Sequence, residues 1–205
     1  MKNFIKLSFV LMVMLPSAIF AQQELPRVPI LTLSGQVGYA NPQGKAFKDA
    51  DVNIGIGTDF DMLYHLEQLD RKLGVGVTFS PAFLFGTSAS YNAGAYGQML
   101  YGARAHYKFL SGGFSPYASL SVGAAQLSIP GEVDSEDKPI PGREAKTSGA
   151  FGLRPEIGLQ MKGFIMSASY LVPMMYDLHG GTKKPAGSLQ FSIGVRLNLW
   201  STEAL

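Results

Sequence analysis

The sequence predicts an all-β chain, an eight-stranded antiparallel up-and-down transmembrane β-barrel preceded by a cleavable signal peptide. Three observations carry this. Eight stretches alternate apolar residues with polar or glycine residues, the period of a strand that shows one apolar face. They run 10–15 residues, long against the mode of about 5–6 in soluble sheets and suited to a tilted membrane strand of about 9–11 residues plus an extension. The joints between them alternate short and long, the rhythm of membrane barrels with tight turns at one end and longer loops at the other.

The first element is the leader. Lys2 and Lys6 place positive charge before an apolar run over 7–15, which Pro16 breaks. Ala21 then supplies a small residue ahead of the polar Gln22 and Gln23. A basic start, a short apolar centre and a small residue at the boundary predict export by the Sec route with cleavage after Ala21. The run is too short for a spanning helix of about 20 residues. The division expected is a signal peptide over 1–21 and one barrel domain over 22–205.

The strands are expected near 31–40, 52–66, 72–85, 95–109, 115–126, 149–162, 164–177 and 188–200. In the second, Val52, Ile54, Ile56, Phe60, Met62 and Tyr64 share one face, against Asn53, Gly55, Gly57, Asp59 and Asp61. In the fourth, Met99, Tyr101, Ala103, Ala105, Tyr107 and Phe109 oppose Leu100, Gly102, Arg104, His106 and Lys108. In the eighth, Phe191, Ile193, Val195, Leu197 and Leu199 oppose Ser192, Gly194, Arg196 and Asn198. The fifth is the weakest, since Ser119 and Ser121 alternate with Leu120 and Val122 only briefly.

The second, fourth and sixth joints, at 67–71, 111–113 and 162–163, are short. The first, third, fifth and seventh, at 41–51, 86–94, 127–148 and 178–187, are longer and polar. The fifth carries Glu132, Asp134, Glu136, Asp137, Lys138, Arg143, Glu144 and Lys146 among three prolines, so it is expected as a mobile surface loop that buries little. Aromatics gather near strand ends on the apolar faces. Tyr64, Tyr107, Phe109, Phe164 and Trp200 form one expected girdle; Tyr39, Phe83, Phe85, Phe151, Tyr176 and Phe191 form the other. Two such belts mark the two headgroup boundaries of a bilayer.

Charge and composition exclude several classes. Removing Lys2 and Lys6 leaves 15 basic residues against 15 acidic ones, so nothing electrostatic points to nucleic acid as a partner. The chain has no Cys, which removes disulfides, thiolate metal sites and lipid attachment through a Cys. The three His are scattered, without the spacing of a metal site. No cofactor and no metal are expected.

The closing segment 192–200 resembles the C-terminal assembly signal of outer-membrane barrels. Ser192, Gly194, Leu197 and Leu199 match its polar, glycine and alternating apolar positions, with Trp200 as the aromatic end. The chain departs from that pattern by continuing through 201–205. Over 22–205 it is similar to small eight-stranded outer-membrane barrels of the OmpX and OmpA-transmembrane type. The resemblance implies residence in the bacterial outer membrane, contact with its lipids and lipopolysaccharide, and handling by the barrel-assembly machinery during biogenesis.

An eight-stranded barrel has room inside only for its own side chains. Asp59, Asp61, Arg104, His106, Arg154, Glu156 and Arg196 fall on inward positions and are expected to form a charge network filling a polar lumen. Buried charges need partners, so the network is expected first as a plug and, second, as a narrow path for ions or small solutes. The expected role is structural or surface-interacting and non-enzymatic, through outer loops whose extracellular ligand the sequence does not name. The third reading, a lipid A-modifying enzyme, would need Asp177, His179 and Ser188 to converge near the outer rim.

Overall fold

The computed structural model describes residues 27–86, 95–111, 113–132 and 138–203. The expected signal peptide, most of the third joint and the centre of the acidic fifth joint lie outside them. Eight strands follow in chain order: β1 (Arg27–Gln43), β2 (Val52–His65), β3 (Leu73–Gly86), β4 (Tyr96–Lys108), β5 (Phe114–Ile129), β6 (Lys146–Met161), β7 (Phe164–Asp177) and β8 (Lys183–Glu203). Each pairs antiparallel with its neighbour, and β8 returns to β1 to close the barrel. Closure leaves no edge strand to template pairing with another chain, although the β6–β7 ladder covers only 156–161 against 164–169.

The side-chain polarity of this barrel is the inverse of a soluble one. Odd positions of β4 and even positions of β2 face outward and stay exposed, among them Ile54, Ile56, Phe60, Met62, Tyr64, Tyr101 and Tyr107. The inward positions of the same strands bury Asp59, Asp61, Arg104 and His106. Glycines let the wall close where the strands crowd. Gly102 and Gly123 stand opposite each other, and a Cβ on either would overlap the other strand's backbone carbonyl.

Several boundaries differ from the sequence reading. β1, β5, β6 and β8 all run further than the alternation marks, and β8 continues past Trp200 to pair with the start of β1. The seventh joint therefore shrinks to 178–182, because Asp177 pairs with Lys183 and Tyr176 with Lys184. That outer joint is shorter than the opposite-end joint at 66–72, so the length rhythm fails there. The first joint holds an unforeseen helix, α1 (Lys45–Asp49), which buries Ala46 and Phe47. The fifth joint is partly ordered: the Ile140 N–H donates to the Glu132 carbonyl (3.0 Å), and Arg143 pairs with Glu132.

Two residues assigned to the outer face turn inward. Tyr176 was expected in the outer aromatic girdle, yet it is 0% exposed. On β7 the inward positions are Ile165, Ser167, Ser169 and Leu171; a register shift between Leu171 and Met174 then moves the inward parity to even numbers. A one-residue slip sends every later side chain to the other face. Val52 is buried by the same means, since the β2–β3 register shifts between Val52 and Ile54. The remaining ten girdle aromatics are all exposed on the outside.

Candidate functional site

The lumen has two layers. The layer nearer the short turns is polar and built on three arginines. Arg104, from β4, meets Glu156 of β6 through both guanidinium ends (Nη2–Oε1 2.6 Å, Nη1–Oε2 3.2 Å) and lies 3.5 Å from Asp61 of β2. Tyr117 donates to the same Glu156 Oε1 (2.9 Å), while Thr78 and Ser34 donate to Asp61 (2.7 and 3.2 Å). Arg154, one inward step from Glu156 on β6, makes a second forked pair with Asp59, with Nη2–Oδ2 at 2.7 Å. Ser169, Ser80 and Gln190 complete that cluster. Forked arginine–carboxylate pairs of this kind hold geometry as well as charge.

Arg196 stands apart from these two pairs. It lies beside the 162–163 turn, where its backbone N–H reaches the Gly163 carbonyl (2.7 Å), so it is lower than the mid-depth position the sequence suggests. Its Nη1 donates to Gln160 Oε1 (2.8 Å) and to His106 Nε2 (2.9 Å), and the guanidinium sits over the Tyr117 ring. A guanidinium can only donate, so His106 Nε2 accepts. The other ring nitrogen then carries the hydrogen and donates to Ser119 Oγ (2.9 Å). Asn198, expected inward beside Arg196, is exposed. The structure thus brings Asp59, Asp61, Arg104, Arg154 and Glu156 into two linked ion clusters, with the hydrogen-bonded pair of His106 and Arg196 beneath them.

The partners that tie these charges down are mostly uncharged residues that the strand parity alone does not mark as a site: Ser34, Thr78, Ser80, Ser119, Ser169 and Gln190. One signal for them was available, because β5, β7 and β8 repeat serine at alternate positions on what becomes the inward face. The brief alternation of Ser119 and Ser121 with Leu120 and Val122 was that signal.

The layer nearer the longer loops is apolar, which corrects the expectation of a polar lumen throughout. Leu84, Leu100, Ala125, Leu127, Leu171 and Tyr176 form a buried cluster there, and Phe47 of α1 reaches it from the loop. Phe47 meets Tyr96 edge-on at 5.9 Å. Lys184 Nζ anchors α1 through Asp49 Oδ2 at 2.7 Å and holds that carboxyl below its ordinary value.

The residues weighed as a rim triad are engaged elsewhere. Asp177 pairs with Lys146 (3.2 Å), His179 Nε2 reaches the Pro130 carbonyl (3.2 Å), and Ser188 is buried. Of the assembly-signal residues, Ser192 is buried on the inward face, Gly194 packs under Gln36, and Leu197, Leu199 and Trp200 stand outside in the apolar belt. Among the described residues no cluster of His, Asp or Glu is arranged to hold a metal ion.

No protein-family model and no curated protein matches the sequence. Among solved structures, Neisserial surface protein A superimposes with a TM-score of 0.55 at 16% identity, covering 82% of this chain and 97% of that one. Ail, the attachment invasion locus protein of Yersinia pestis, solved with the heparin analogue sucrose octasulfate, gives 0.48 at 17% identity over 82% and 99% of the two chains. The outer membrane enzyme PagL gives 0.42 at 13% identity over 81% and 98%. The first of these likenesses shows that the closed eight-stranded fold is shared.

Proposed function

We propose that this chain is an integral barrel of the bacterial outer membrane whose lumen is closed to water and whose work is done at its outer loops. The observation that carries the reading is the inverted polarity. A continuous apolar exterior with aromatic rims surrounds paired charges, an arrangement that would expose a prohibitive hydrophobic area in water and suits a bilayer. Both lumenal layers support closure: the lower is crosslinked by ion pairs, and the upper is filled by apolar side chains under α1.

In this reading the protein is a structural or surface-interacting scaffold without catalytic activity, touching membrane lipid and lipopolysaccharide through its belt. Sec export with cleavage after Ala21, and recognition of 192–200 by the assembly machinery, belong to the same proposal. The test is single-channel recording of the purified protein in a planar bilayer, with folding verified by heat-dependent gel mobility. A silent trace is the expected result. Reproducible conductance steps that vanish in Arg104→Ala would replace the scaffold reading with a narrow pore.

A further inference from the structure

The wall of the barrel has one weak seam. The β6–β7 ladder runs from Met161↔Phe164 to Glu156↔Ser169 and stops there, although β6 continues outward to Lys146 and β7 to Asp177. The two strands meet again only at the rim. There Ser148 Oγ accepts the Asp177 N–H (2.8 Å), and Lys146 pairs with the Asp177 carboxylate (3.2 Å). Two prolines border the gap. Pro155, opposite Leu120 in the intact β5–β6 ladder, has no N–H to offer β7. Pro173 sits in the β7 register shift, an irregularity that bends the strand.

Behind this gap lies the apolar layer of the lumen. Ala150 on one wall of the seam and Met174 on the other pack against it while remaining partly exposed, whereas Leu100, Ala125 and Leu127 at the closed part of the wall are fully buried. Leu171 and Tyr176 on β7 are buried, so Ala150 and Met174 are the points along the seam where this layer is partly accessible, and the outer surface beside them carries the exposed Phe151 and Met175. Among the described residues, two polar groups inside the same layer lack a protein partner: the Tyr176 hydroxyl, and both the oxygen and the nitrogen of the Gln98 amide. Gln98 is 2% exposed and stands in register between Ala82 and Leu127, two members of the cluster. Buried polar atoms without partners are uncommon because each carries a desolvation cost. A ligand combining an apolar chain with a carbonyl group, such as an acyl ester, fits the apolar layer and accepts from the two orphaned donors, the Gln98 amide N–H and the Tyr176 hydroxyl.

We propose that the outer half of the lumen is a binding site for an acyl chain of a membrane lipid, admitted sideways between β6 and β7 and seated where Phe47 now lies. Phe47 is the cluster's large aromatic side chain contributed by the loop helix, so it can withdraw while the wall stays intact. The ester region of the lipid then meets Gln98 and Tyr176. The proposal rests on the bilayer-spanning reading above.

The test uses the protein reconstituted in phosphatidylcholine vesicles that contain a phospholipid with a photoreactive diazirine at mid-chain. Crosslinks are mapped by tandem mass spectrometry. Labelling of Leu100, Leu127 or Tyr176, in addition to belt residues such as Phe151, is the expected result. It should rise several-fold in Phe47→Ala and fall several-fold in the Gln98→Leu, Tyr176→Phe double variant, with belt labelling unchanged in both. Belt labelling alone, in the wild type and in Phe47→Ala, overturns the proposal. So does lumenal labelling by a water-added photoreactive fatty acid but not by the vesicle phospholipid, which would place entry at the mouth of the barrel. Absence of belt labelling would instead overturn the bilayer-spanning reading.

Discussion

At the level of single residues, the lumen is held by pairs whose members cannot be removed one at a time. Arg154→Met would strand Asp59, which among the described residues has no second cation at bonding distance. Breaking a buried pair in this way costs about 3–5 kcal/mol, and urea unfolding of the refolded barrel should register it. The double variant Asp59→Asn, Arg154→Met should recover most of the loss, because no charge is left uncompensated. Asp49 gives a pH effect of definite sign. Its carboxyl is depressed by the hydrogen bond from Lys184, so its contribution to α1 docking is present above the ordinary value of about pH 4 and fades as pH falls through the lower folded value. The protection of the Lys48 amide, bonded to the Gly44 carbonyl, measured as its hydrogen-exchange rate relative to the intrinsic rate at each pH, should be constant near neutrality and fall in acid, and Asp49→Asn should abolish that dependence. The charged residues of the lumen were readable from period-2 parity alone. Their serine and glutamine partners were not, since those residue types are equally at home in loops and exposed faces.

At the level of the strand, the fold depends on close approach at a few glycines. Gly123→Val would drive a branched side chain into the Tyr101 carbonyl on β4, so the variant should fail to give the compact, fast-migrating band of an unheated barrel. Gly142→Ala supplies the contrast. Its position has open space around it but a φ of +78°, so the strain should be about 1 kcal/mol and the band should survive. Strand existence was legible in the sequence because alternation persists along each one. The ends were not, because β6 and β8 begin in polar residues that read as loop until cross-strand pairing claims them. Tyr176 and Val52 were misplaced for a different reason: register shifts leave no mark in a pattern of alternating residues. α1 was invisible as well, since a five-residue helix with Phe47 as its one large apolar residue exists through docking rather than through helical periodicity.

For the whole molecule, the decisive question is which solvent each face meets. The belt of aromatics and aliphatics was legible in ten of its eleven assigned girdle residues, because outward parity is constant wherever the register is unbroken. The split of the lumen into a polar and an apolar layer was not, since Leu84, Leu100 and Leu127 share the inward parity of Ser80, Arg104 and Ser121 on their own strands and differ only in depth. Depth depends on barrel stagger, which no single strand reveals. The chain has one tryptophan, Trp200, and it is 66% exposed on the outer surface near the end of β8, which makes it a single reporter of where the belt lies. The most direct measurement is quenching of Trp200 fluorescence in vesicles made from phospholipids brominated at different acyl depths. The account predicts strong quenching by bromine near the headgroup end of the chain, weaker quenching by bromine at the bilayer centre, and protection from iodide in the water. Full quenching by iodide with no effect of brominated lipid would contradict it, by placing the apolar belt outside the bilayer.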